Sequence, residues 1–163
     1  MPTKTEHQNN LSLRHAIATL AYRAAKTLRD APPGFSSFRP GDGSRSAGEI
    51  LAHICDLFDW VLSQAQGQEK WRNSKPKTWS EDTDRFFAAL TAFDQYLASG
   101  SELRASADKL FQGAVADALT HTGQIAMLRR LAGARVRGEN YSVAKIETGR
   151  VGADQNPGVQ EFD

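Results

Sequence analysis

Four stretches of the chain carry apolar residues at helical spacing, and each is bounded by residues that start or stop helices. In the first, Leu13, Ile17, Leu20, Ala24 and Leu28 recur three or four apart behind Asn10, a residue suited to capping a helix. Pro32 and Pro33 are expected to end it, because a proline pushes the preceding residue out of the α region. The second stretch opens with Ser46-Ala47-Gly48-Glu49, a capping-box pattern: the serine oxygen accepts from a helix amide and the glutamate reaches back to the serine amide. Behind it Ile50, Ile54, Leu57 and Val61 form the stripe, widened by Leu51, Phe58 and Leu62. The third is expected to start at Ser80-Glu81-Asp82, with Phe86, Leu90, Phe93 and Leu97 on one side and Gly100 as its stop. The fourth is placed at 113–132, with Val115, Leu119, Ile125, Leu128 and Leu131 as its apolar side. Arg129 and Arg130 fall in its last turn, where cations favour the helix dipole, and Gly133 follows.

Four such helices predict an all-α fold, a four-helix bundle. Residues 33–45 are rich in Gly, Ser and Pro without any period and read as a loop. Residues 67–78 form a polar connector that, extended, reaches about 40 Å, while a 20-residue helix spans about 30 Å. The chain can therefore run the whole bundle length between helices 2 and 3, which allows a non-meander topology. Residues 101–112 have room for one helical turn. The expected organisation is a flexible N-terminus over 1–9, the bundle over 10–135 and an irregular tail over 136–163, where Tyr141, Val143 and Ile146 favour a short extended piece.

Composition agrees with one helical domain. The 163 residues fit one domain of ordinary size. Leu, Ile, Val and Phe number only 33, but 23 Ala let helices form and approach closely. Twenty Lys and Arg against 19 Asp and Glu give a net charge of +1, which argues against a broadly basic nucleic-acid binder. A single Cys cannot form an internal disulfide and suits a reducing compartment. No apolar run approaches a membrane span, and Met1-Pro2-Thr3-Lys4 lacks a signal-peptide pattern. The expected protein is cytoplasmic, with neither nucleic acid nor membrane as partner.

Three side chains form a candidate metal group. His53 lies three residues after Ile50 and four before Leu57, on the apolar side of helix 2. On helix 4, Asp117 and His121 are four apart and share a face with Gln124. Two imidazoles and a carboxylate from two helices are the ligand set of an open catalytic zinc-type site, or of a facial triad for another divalent ion. The same residues also fit a plain alternative, a core histidine satisfied by one hydrogen bond and a salt-linked helix surface. His7 and His15 lie off any such arrangement. Cys55 points away from His53 and reads as a buried thiol; Asp56 and Asp59 could orient an imidazole or serve as surface charge. Trp60, Trp71 and Trp79 gather around the connector, as packing or as a substrate wall. Arg129, Arg130, Arg135, Arg137, Lys145 and Arg150, against Glu139 and Glu147, give residues 129–150 a local charge of +4 that could draw in an anion.

The segment Ser46-Ala47-Gly48-Glu49-Ile50-Leu51-Ala52-His53-Ile54, then Trp60, then His121-Thr122-Gly123-Gln124-Ile125-Ala126-Met127-Leu128-Arg129-Arg130-Leu131-Ala132-Gly133 resemble the DinB/YfiT-like superfamily. The resemblance spans roughly residues 10–135, and His121-Thr122-Gly123-Gln124-Ile125 is its most specific part. It implies an up-down-down-up bundle that binds a divalent ion, zinc or nickel, with His53 as the helix 2 ligand and His121 as the second member of a pair on the last helix. The first member is commonly His and here is Asp117, a position where some thiol-dependent isomerases of the superfamily carry a carboxylate. It further implies a homodimer acting as a thiol-dependent S-transferase or isomerase, or a hydrolase, on a small anionic substrate. The nucleophile would be a metal-bound low-molecular-weight thiol or water; the residues themselves offer Trp60, Gln124, Arg130 and Arg137 as candidate substrate contacts. The alternative is a non-catalytic metal- or ligand-binding dimeric bundle.

Overall fold

The computed structural model describes residues 4–163 and is mostly helical, with a two-stranded sheet as its only other regular structure among those residues. Helix α1 spans Lys4–Leu28, α2 Ala47–Ala65, α3 Trp79–Ala98, α4 Ala107–Leu110 and α5 Ala116–Leu131. A π-helical segment, Phe111–Val115, joins α4 to α5 without a break. Strands β1 (Gly138–Glu139) and β2 (Glu161–Phe162) pair antiparallel. No helix among the described residues is long and apolar enough to cross a membrane.

The capping box before α2 forms as expected: Ser46 Oγ accepts from the Glu49 amide, and Glu49 accepts from the Ser46 amide. Three expectations need correction. Asn10 does not cap α1, which already begins at Lys4; once a buried stretch has nucleated a helix, each further residue adds one hydrogen bond at little cost. Residues 1–3 of the expected flexible terminus lie outside the described residues. Helix α3 starts at Trp79 rather than Ser80, because Thr78 and Glu81 make a second capping box. The last helix begins at Ala107, six residues ahead of the expected start, where Ser106 Oγ accepts from the Lys109 amide. The turn around Gly113 is then wide: the Ala116 amide donates to the Phe111 carbonyl five residues back.

The long helices pack pairwise, α2 against α3 and α5, and α1 against α3 and α5. Ile17, Leu20, Leu51, Ile54, Phe58, Phe86, Leu90, Phe93, Val115 and Ile125 fill the space between them. Gly48 is required at the start of α2, since a Cβ there would collide with Ser36 Oγ and lie 2.9 Å from the Ser36 carbonyl.

The connector after α2 turns back alongside it. The Lys70 amide donates to Ser63 Oγ (2.9 Å), Glu69 accepts from Trp60 Nε1 (3.1 Å), and Ser74 donates to Asp56 through both its amide and its hydroxyl (2.7 Å each). Arg85 of α3 donates to Asp56 and Asp59. Burial alone would raise the Asp56 pKa, but Arg85 and Ser74 outweigh it and hold the carboxyl below its usual range.

The tail is ordered against α1. Glu139 is buried and accepts from Tyr22 Oη (2.6 Å) and Lys26 Nζ (3.0 Å), and Arg23 lies over the Tyr141 ring. The extended piece expected around Tyr141 and Val143 is instead a 3₁₀ turn, tightened by the Asn140 side chain accepting from the Ser142 amide. Arg129, expected to serve its own helix dipole, is buried and crosses to α1, donating to the carbonyls of Thr27, Arg29 and Asp30 and to Ala134.

Those carbonyls belong to the end of α1, where no helical amide reaches them and Asp30 turns left-handed at φ 55°. Replacing Arg129 removes the donor from all of them and leaves the buried Thr27 carbonyl unpaired. Arg129→Ala should cost about 2–3 kcal/mol of unfolding free energy, read as a lower urea midpoint at unchanged slope. Arg129→Lys should recover little, because a single ammonium cannot span the fork, and exposed Arg130→Ala should stay within about 0.5 kcal/mol.

Candidate metal centre

The antiparallel meeting of α2 and α5 decides the site: Trp60 faces Gly113, and seven residues back along α2 His53 meets Asp117 and His121. His53 Nε2 stands 3.5 Å from Asp117 Oδ2, and His121 Nε2 stands 3.4 Å from Asp117 Oδ1. The imidazoles meet edge to face with centroids 4.9 Å apart. One ligand atom from each of the three residues can be chosen so that all lie within 4.8 Å of one another.

This group could hold a metal ion. Each histidine approaches a different Asp117 oxygen, at distances close to the about 3.4 Å that separates ligands on a tetrahedral ion with bonds of about 2.0–2.1 Å. His121 Nδ1 lies 2.7 Å from Gln124 Oε1; when that nitrogen carries the proton and donates, Nε2 keeps its lone pair toward Asp117. Burial lowers the His53 pKa, and the neighbouring His121 and Arg45 lower it further, against the Asp117 carboxylate 3.5 Å away, which raises it. His53 is therefore neutral at pH 7, the form that ligates a cation.

The other residues singled out in the sequence divide. Gln124 supports His121, and Trp60 is half-buried against Gly113 with its indole N–H on Glu69. Arg130 is exposed nine residues beyond His121, about 13 Å along the helix. Arg137 pairs with Glu161 (3.3 Å) and Asp163 (3.5 Å). With Lys26, Arg29, Arg129 and Arg135 it lines a cavity of about 190 Å³ that Asp30 and Glu161 also line, so part of the 129–150 charge is answered by the tail. Arg150 likewise donates to Asp154 and Asn156. A larger cavity, about 670 Å³, lies between Asn9, Asn10 and residues 100–107, apart from the histidines.

Asp56 and Asp59 serve Arg85 rather than an imidazole. His15 meets Thr148 of the tail. Cys55 is buried, donates to the Asp82 carbonyl and has its pKa pushed up to about 12 by burial, which makes it a poor nucleophile. Trp79 donates to the Leu28 carbonyl and packs on Phe35 at the end of the helices.

One contact at the site was not readable from spacing: Trp71 of the connector meets His53 edge to face at 5.7 Å. The available signal was a large aromatic residue in an otherwise polar segment. Among models of known protein families, curated proteins and solved structures, none matches this chain.

The lowered pKa of His53 has a consequence for the metal-free protein. Between the lowered folded value and the unfolded value near 6.5, the unfolded chain binds more protons. The contribution to stability is complete above pH 6.5 and is lost as the pH falls through that window. With a chelator present, the urea midpoint should fall more between pH 7.5 and 5.5 in the parent protein than in His53→Gln, which carries no titrating imidazole there.

Proposed function

We propose that the protein is a divalent-metal-dependent enzyme, a thiol-dependent S-transferase or isomerase or a hydrolase, acting on a small anionic substrate. The observation that carries this reading is the convergence of His53, Asp117 and His121 from two helices, with their ligand atoms within 4.8 Å. A divalent ion there, zinc or nickel, would supply Lewis acidity that makes a thiolate or hydroxide at neutral pH in a position the protein leaves open. Three protein ligands do not saturate a tetrahedral ion. His53 and His121 offer imidazole nitrogens, Asp117 offsets the cationic charge, and Gln124 holds the His121 ring. Arg45, near enough to bear on the His53 pKa, favours an anionic substrate group. The buried, high-pKa Cys55 gives the chain no evident nucleophile of its own, which supports a bound thiol or water in that role.

The fold reading belongs here as well: an up-down-down-up four-helix bundle of the DinB/YfiT-like kind. Support comes from contacts that advance together along α2 and α3 (Asp56 with Arg85, Ala65 with Tyr96) and run oppositely between α1 and α3 (Arg14 with Asp94, Leu28 with Trp79). A cytoplasmic location is favoured by the single unpaired, buried thiol.

Elemental analysis of protein purified with added zinc should give one ion per chain. His53→Ala and His121→Ala should each weaken binding at least about a hundredfold, and Gln124→Ala by about tenfold. Turnover of a generic electrophile should require both metal and a small thiol and vanish in His121→Ala. Turnover without thiol would identify a metallohydrolase, and metal binding without any turnover would leave a non-catalytic binding bundle.

We further propose a homodimer. Met127 and Leu131, four apart on α5, are exposed apolar side chains on one face, a surface that a second copy would cover. Light scattering at micromolar concentration should give twice the mass of the 17.9 kDa chain, and Met127→Glu with Leu131→Glu should return it to one.

A further inference from the structure

Trp71 is 46% exposed, although indoles gain much from burial. Its exposure does not come from slack in the chain. Lys70 on one side is tied to Ser63, and Ser74 on the other is tied twice to Asp56. The ring is also held by aromatic neighbours, edge to face on His53 at 5.7 Å and on Trp60 at 5.7 Å with planes 89° apart. Trp60 is fixed in turn, with its N–H on Glu69, which also accepts from Gln64. The result is a positioned aromatic surface beside the histidines, with part of it facing water. The Asp117 side chain is also 44% exposed, so the ligand group is open to solvent.

A rigid, water-facing indole loses little entropy when a flat group covers it, and aromatic pairs gain further at centroid separations of about 4.5–7 Å. A tryptophan serving only to shield His53 would have no need to leave nearly half its surface wet. We propose that Trp71 is a specificity-determining residue of this site, binding a flat, ring-bearing portion of the substrate while the reacting group is held at His53, Asp117 and His121. The inference rests on the metal-site reading and adds the substrate class to it: aromatic compounds are preferred over small aliphatic ones.

The test uses two chelators with the same metal-binding group, benzohydroxamate and acetohydroxamate, titrated into zinc-loaded full-length protein by calorimetry. The parent should bind benzohydroxamate about tenfold more tightly, relative to the ratio found in Trp71→Ala. With zinc occupancy confirmed in each protein, Trp71→Ala should weaken benzohydroxamate binding more than acetohydroxamate binding, and Trp71→Phe should retain part of the preference. Because the indole is exposed, neither variant is expected to unfold. An equal ratio in parent and Trp71→Ala, or zinc-loaded protein that takes neither chelator, overturns the role given to Trp71 while leaving the metal site standing. Absence of zinc binding in the parent overturns the metal-site reading and this inference together.

Discussion

Asp56 is a carboxylate at the middle of α2 with 1% of its surface exposed, and a charge so withdrawn from water must be matched by donors. Two of them come from Ser74 and one from Arg85. That requirement draws the connector back along α2 and ties α3 to the same point. Trp71, three residues before Ser74, is carried to His53 as a result. Arg85 bridges to Asp59 as well, and the two carboxylates raise its pKa against a burial effect that lowers it. The connector thus has a charged anchor in place of secondary structure.

The polar groups of the molecule fall into two kinds. Arg129 and Glu139 are buried and paired several times over, with Lys26 held between Glu139 and Glu161. These residues close the end of α1 and fasten the tail. Asp117, His53 and His121 are less buried, and their mutual distances of 3.4 and 3.5 Å are longer than good hydrogen bonds. The first kind is spent on holding the chain together, whereas the second brings three donor groups together without a short hydrogen bond between them, a group that could hold a cation.

Much of the site was legible because helices turn residue spacing into direction. Ile50, His53 and Leu57 on one helix, and Asp117, His121 and Gln124 on another, could each be assigned a face from the sequence. The start of α3 was also written there, as Thr78 with Glu81, beside the Ser80-Glu81-Asp82 pattern that placed it one residue late. Residues 4–9 and 107–112 were less readable, since helix can extend without an apolar stripe. The +4 stretch over 129–150 was visible as charge, but charge alone does not say which groups answer it. Glu161 and Asp163, far along the chain, pair with Arg137.

The sequence by itself determined that the chain is mostly helical, where most of the buried stripes lie (Leu131, expected on the apolar side of the last helix, is exposed) and which three side chains have the donor chemistry for a cation. These are local properties, set by periods of three and four residues and by capping groups next to the helices they start. Tertiary structure alone decided that Trp71 lies on His53, that Asp56 holds the connector and that Arg129 serves α1. Each of these joins segments whose separation in sequence carries no period. What brings them together is the need to pair buried charge and carbonyl groups in a packed interior, and that need exists only once the helices have met.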